Sequence, residues 1–280
     1  MDIKHILVAT DLTDGSDRAL DRALGLAHGC TVTLLHVLAA GLPDVLRLRL
    51  QTEIEAFLAE KARQSQASLR TGDIRTLVVT GDPFSTIIHE GIMRRADLLV
   101  VGEPAKLRRQ DLFVGTTAEC VARFADRPVL MVKQARHAGY GRVLVAFDGS
   151  EAAVRALEIA LALNPDAEFR ITYAWWRPPA TLGMDDVDPQ GIRNEKERIK
   201  DRIEHAVSNA ATVSASRPTN LAIDLIESNP YLAIRHNVDW AELLVLGKHS
   251  KGGMAISSEI GRLARQMLAE APCDVLVSPP

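Results

Sequence analysis

Short, unbroken apolar runs alternate along this chain with longer stretches whose apolar residues recur every three or four positions. Ile6, Leu7, Val8 and Ala9 form the first run, the pattern of a strand covered on both faces. Behind it Thr13, Asp14 and Ser16 offer N-cap oxygens. Ala19, Leu20, Ala23, Leu24 and Ala27 then recur at helical spacing until Gly29 stops the helix. Residues 31–37 predict a second strand and 75–79 a third. Between them, 43–69 is rich in Leu, Glu, Ala, Gln and Arg and predicts a long helix. Gly81, Asp82 and Pro83 predict a turn into a helix with proline in its first turn, carrying Ile87, Ile88, Ile92 and Met93 inward. Residues 98–101 predict a fourth strand, 115–124 a helix after an irregular loop, and 129–132 a fifth strand.

The same order then recurs. Strands are predicted near 142–147, 169–174, 221–226, 242–246 and 274–278, and helices near 151–163, 191–213, 230–238 and 260–270. Asp148 stands 137 residues after Asp11, Gly247 stands 145 after Gly102, and Val275 stands 146 after Val129. Three landmarks in one order at nearly one offset read as two copies of a unit of about 140 residues. The predicted organisation is a first domain over 1–134, a linker over 135–141 and a second domain over 142–280. Strand alternating with helix predicts the α/β class: two tandem doubly wound domains, each a five-stranded parallel sheet flanked by helices. Ligands of such sheets bind at the carboxyl ends of the strands, where strand order reverses. Residues just after strands one, two and four can therefore carry a site, once in each copy.

Composition narrows the function classes. A length of 280 residues gives each half enough chain to bury its own core, and 47% apolar with 25% charged residues is ordinary for a globular protein. A net charge of −3 gives no electrostatic reason to expect nucleic acid. No apolar run approaches 18 residues, so no membrane span is expected, and the N-terminus runs directly into a strand, without the pattern of a signal peptide. Cys30, Cys120 and Cys273 are unclustered, which suits a reducing cytoplasm and three small buried hydrophobes rather than a disulfide framework or metal site.

Candidate chemistry gathers at the strand ends. Asp11 and Asp148 close the first strand of each half. Such a carboxylate can accept from a base or ribose hydroxyl, or it can cap the following helix. After strand four Gly102 leads into a loop containing Lys106, Arg108 and Arg109, and Gly115, Thr116 and Thr117 open a helix. Backbone N–H groups and hydroxyls there can seat a phosphate, or simply cap the helix. His89 and His236 each lie six residues after a turn proline, Pro83 and Pro230; duplication accounts for the match, and both read as partly buried structural histidines. Trp175 and Trp176 either stack on a base or cover the core at the junction of the halves. No Gly-x-Ser-x-Gly, Gly-Lys-Ser/Thr or His-Glu-x-x-His pattern supplies a catalytic constellation, and no catalytic residue is assigned.

These pieces, in order and twice, resemble the universal stress protein family in its tandem two-domain form. The matching segments are residues 6–11, Leu34-Leu35-His36-Val37, Gly81-Asp82-Pro83, the loop 102–117 and residues 126–132. Their counterparts are 145–150, Ser228-Asn229-Pro230, 246–253 and 271–277. The resemblance implies a nucleotide-binding α-hydrolase-like fold that can hold ATP with magnesium, and at most slow ATP hydrolysis. In ATP-binding members the phosphate loop reads Gly, two residues, Gly, nine residues, Gly, then Ser or Thr. Here it falls on Gly102, Ala105, Gly115 and Thr116, with Val101 before and Thr117 after. Asp11 and Val37 take the ribose and adenine positions, flanked by Ala9 and Thr10. The nine-residue spacing is intact, but Ala105 replaces a glycine. The second half keeps Gly247, has Ser250 for the second glycine, ten residues before Gly261, and Arg262 in place of the hydroxyl; Ala174 takes the valine position and Asp148 the aspartate.

The resemblance thus implies a cytoplasmic stress-response protein that binds an adenine nucleotide (ATP, ADP or AMP) and regulates rather than catalyses. The alternative is a family member without nucleotide, acting as an interaction scaffold or holding another small ligand. Family members commonly dimerise through strand five. The two strand-five edges can therefore pair within one chain as an intramolecular pseudo-dimer, or serve a homodimer.

Overall fold

The structure, a computed structural model, describes residues 3–68, 72–103, 116–135, 139–175, 189–218, 220–248 and 261–280. The first half runs β1 (His5–Thr10), α1 (Asp14–Leu26), β2 (Thr31–Ala39), α2 (Asp44–Ser65), β3 (Ile74–Gly81), α3 (Pro83–Met93), β4 (Leu98–Gly102), α4 (Thr117–Phe124) and β5 (Val129–Val132). The second runs β6 (Arg142–Ala146), α5 (Glu151–Leu163), β7 (Glu168–Trp175), α6 (Pro189–Ser214), β8 (Asn220–Glu227), α7 (Pro230–Asn237), β9 (Leu243–Gly247), α8 (Arg262–Glu270) and β10 (Asp274–Ser278). The strand order is β3-β2-β1-β4-β5-β10-β9-β6-β7-β8 in one ten-stranded sheet. Among the described residues every pairing within a half is parallel, and one antiparallel pairing joins β5 to β10.

The apolar runs become strands because both faces of the sheet are covered. Ile6, Val8, Leu34, Val100 and Leu130 pack with α1 and α2 on one face. Leu7, Leu35, Leu99, Val101 and Met131 pack with α3 and α4 on the other. Side-chain oxygens start several helices: Asp82 accepts from Ser85 N–H before Pro83, Asn229 from Leu232 N–H before Pro230, and Ser150 from Ala153 N–H.

Three expectations are corrected. Ile92 and Met93 do not point inward but stand 43% and 66% exposed. The inward stripe of α3 is set instead by Ile87 and Gly91, one turn apart, and Gly91 lets Leu99 approach so closely that a Cβ would lie 2.8 Å from its Cδ2. Ile92 and Met93 follow around the helix toward solvent. His89 and His236 are exposed rather than partly buried. Trp175 does not cover the junction of the halves: it ends β7, second from the outer edge, and packs on the α5–α6 face with Lys196 Nζ 5.2 Å from its ring centroid. Trp176 lies outside the described residues.

At the centre Leu130 pairs with Leu276, flanked by Met131–Val275 and Val129–Val277. Two buried lysines cross this seam. Lys133 Nζ donates to the Ala271 carbonyl at 2.9 Å, and Lys248 Nζ to the Ala125 carbonyl at 3.1 Å. Ala271 and Ala125 are the C-caps of α8 and α4, where a cation offsets the negative end of the helix dipole. Burial depresses both ammonium groups, Lys248 to about 8.

Candidate functional site

The strand order reverses at β1, which has β2 on one side and β4 on the other. At its carboxyl end the chain turns through Leu12 at φ 64 before α1, and the second half repeats the turn with Gly149 at φ 81. Asp11 is exposed, and its Oδ1 accepts from Thr13 N–H at 3.2 Å and from the Thr13 hydroxyl at 2.6 Å. Asp148 likewise accepts from Ser150 N–H at 2.9 Å. Both aspartates thus help start the next helix. Thr10 is buried, its hydroxyl 2.9 Å from Ser16 Oγ and accepting from Leu12 N–H at 3.0 Å. That side chain faces α1, not the crevice on the other side of the sheet.

The opposite face carries a different set. Ala9 and Val37 are partly buried and pack with Val101, Val79, Phe84 and Ile88 in the α3–α4 cluster. They form an apolar shelf at the ends of β1, β2 and β4. Alternation puts Ala146 and Ala174 on the same face in the second half. His36 closes the β2 end, Nδ1 2.9 Å from the Thr10 carbonyl oxygen.

On the shelf side of the sheet, α4 begins with a capping box. Thr116 Oγ1 accepts from Glu119 N–H at 3.2 Å, and Glu119 Oε2 accepts from Thr116 N–H at 2.9 Å. The Thr116 hydroxyl accepts in this bond, so its proton remains available to donate. Thr117 is exposed at the first helical position. Glu119 was not singled out from the sequence, although the Thr-x-x-Glu spacing was there to read. Beside it, Glu103 Oε1 lies 3.9 Å from Lys133 Nζ. The second half lacks this arrangement: Gly261 is the N-cap of α8 with no side-chain cap, and exposed Arg262 follows. A cation there opposes the helix dipole.

Gly102 and Gly247 are held by packing. A Cβ on Gly102 would lie 2.5 Å from the Gly15 carbonyl carbon, and one on Gly247 2.6 Å from the Ala153 nitrogen. Each glycine lets the next strand end lie against the first turn of α1 or α5. Ala105, Gly115 and Ser250 lie outside the described residues, as do Lys106, Arg108 and Arg109. A separate cavity of about 480 Å³ opens in the second half over Phe147, Val154 and Ala206, rimmed by Arg202 and His205. It lies on the α5–α6 side, opposite the shelf. Among the described residues no group of three or more His, Cys, Asp or Glu is placed to hold a metal, and no helix is long and apolar enough to cross a membrane.

A doubly wound α/β unit, repeated, with its strand-end crevice at the β1 switch point, defines the class. The model of the universal stress protein family matches residues 2–133 and again 139–279, and the chain belongs to that family. A universal stress protein of Mycolicibacterium smegmatis is 24% identical over 292 aligned positions, covering 98% of this chain and 97% of that protein. A Thermus aquaticus universal stress protein is 32% identical over 139 residues, 46% of this chain and 98% of its own length. A universal stress protein structure from Archaeoglobus fulgidus superposes with a TM-score of 0.68 at 19% identity, covering 99% of this chain and 97% of that one. That last likeness is one of fold.

Proposed function

We propose that the first-half crevice binds an adenine nucleotide and that the protein is a cytoplasmic stress-response regulator rather than a fast catalyst. The observation that carries this reading is the apolar shelf of Ala9, Val37 and Val101, on the same side of the sheet as the capped N-terminus of α4. A base can lie on the shelf with its ribose toward Asp11. A phosphate can take N–H groups and the hydroxyls of Thr116 and Thr117 at the helix start, with magnesium as counter-ion. Gly102, Ala105 and Gly115 carry the family's spacing between them. In this reading any hydrolysis of ATP is slow and incidental to binding.

In the second half Asp148, Ala174, Gly247, Ser250, Gly261 and Arg262 hold the corresponding positions. Loss of the hydroxyl cap and the cation at Arg262 favour a changed role there, an interaction surface or a site for another small ligand. The β5–β10 seam supports reading the chain as an intramolecular counterpart of the family's dimer, with homodimerisation as the other use of those edges.

Equilibrium dialysis against labelled ATP and AMP tests the reading. Retention of nucleotide that is competed by unlabelled ATP supports it. Retention of neither nucleotide at millimolar concentration leaves the scaffold reading in its place.

A further inference from the structure

Asp274 opens β10 and is fully buried where the halves meet. Its Oδ1 accepts from Lys133 N–H at 2.8 Å and Gln134 N–H at 2.9 Å, just beyond β5. Its Oδ2 accepts from the Tyr140 hydroxyl at 2.6 Å and lies 3.2 Å from Nε of Arg22 in α1. Arg22 is equally buried, and its guanidinium carbon sits 4.2 Å above the Tyr140 ring centroid. One carboxylate thus joins the first half, the connecting segment and the second half. The carboxylate is held by three hydrogen bonds besides the ion pair, and the guanidinium by that ion pair and the Tyr140 ring; remove one side and a desolvated charge is left.

Duplication provides the comparison. The seam is centred on Leu130–Leu276, which are equivalent positions in the repeat. About that centre Asp274 maps onto Pro128. Arg22, ninth of thirteen residues in α1, maps onto Ile159, ninth of thirteen in α5. Lys133 and Gln134, whose N–H groups serve Asp274, map onto Pro279 and Pro280, which have none. One end of the seam holds a carboxylate, two backbone donors, a hydroxyl and a cation. The equivalent positions at the other end supply no carboxylate, no N–H donor and no cation.

We infer that this asymmetry is a recognition device: the strand-five surface of the first half accepts that of the second half and rejects a copy of itself. Two first-half surfaces paired together would set two Arg22 guanidiniums against Pro128, with no carboxylate. Two second-half surfaces would bury two Asp274 carboxylates against Ile159, Pro279 and Pro280, with neither N–H nor cation. A second copy of this chain can engage the seam only by exchange, β5 of one molecule with β10 of the other.

The test uses the whole protein with a protease site placed at 136–138, folded and then cut, and read by native mass spectrometry, since the two halves differ in mass. Pairs of unlike halves should exceed pairs of like halves by at least about tenfold. The nicked double variant R22M/D274N should lose most of that preference. A nicked wild-type protein that redistributes into like and unlike pairs in statistical proportion overturns the inference. Should the nicked protein lose its fold, the uncut chain decides. Arg22→Asp and Asp274→Arg should each lower the urea midpoint, and the two together should recover most of the loss. A double variant as weak as the sum of its singles overturns it.

Discussion

Gly102 ends β4 against the first turn of α1 so closely that an added methyl would lie 2.5 Å from the Gly15 carbonyl carbon and 2.8 Å from the Ser16 nitrogen. The contact is reciprocal: a Cβ on Gly15 would meet the Glu103 carbonyl oxygen at 2.5 Å. Both obstacles are backbone, so neither can swing aside. Gly102→Ala is expected to destabilise the fold by about 1–3 kcal/mol, the usual cost of overpacking, with or without nucleotide present. Denaturant unfolding measures it. A variant as stable as wild type that has lost only ligand affinity would assign Gly102 to the ligand instead.

Thr117 separates helix capping from anion binding. It is exposed at the first position of α4, while the cap is Thr116. A carboxylate in the first turn favours the helix by about 0.3–1 kcal/mol. The same charge repels a phosphate seated there. Thr117→Glu should therefore keep or raise the unfolding midpoint while weakening ATP binding at least about tenfold. Unchanged affinity would move the phosphate away from α4.

Lys248 makes stability depend on pH. Its ammonium is buried and depressed to about 8, first through desolvation, with Asp126 partly opposing. Between pH 8 and the ordinary lysine value, the unfolded chain binds a proton that the folded chain does not. Stability therefore rises with pH across that window, by on the order of 2–3 kcal/mol, and the penalty is fully present below it. Lys248→Met should remove this rise. Urea unfolding at pH 7, 8 and 9.5 in both proteins checks the difference, and parallel curves would contradict it.

The three thiols should be inert in the native protein. Cys30, Cys120 and Cys273 are all buried, and burial, aided by Asp274, pushes Cys273 up to about 12. Thiolate is the reactive form. A thiol reagent at neutral pH should label all three in denaturant and none at a comparable rate without it. Rapid labelling of Cys273 in the folded protein would show that the β5–β10 seam opens.

The strands were legible because each is a compact apolar run, and the repeat doubled the signal. Thr13 was legible as the N-cap of α1, whereas Asp82, Ser150 and Asn229, each a short polar side chain before a helical pattern, read only as parts of a turn or of a repeated segment, and the structure shows them to be caps. Ile92 and Met93 misled because neighbouring apolar residues on one short helix cannot all face the core, and only the approach of Leu99 to Gly91 decides which do. Gly102 and Gly247 were legible as special positions, but not for their cause, since close contact with Gly15 or Ala153 joins distant segments. Asp274 looked like any first residue of a strand. Its partners, Arg22 and Tyr140, lie 252 and 134 positions away, and only the completed sheet brings them together.

The proposed adenine-nucleotide site is one per chain, in the first half. Calorimetric titration of ATP with magnesium into wild type and into Thr117→Glu tests it most directly. The expected result is saturation at one nucleotide per chain, weakened at least about tenfold in the variant. No heat at millimolar nucleotide, or two equivalent sites indifferent to Thr117, would contradict it.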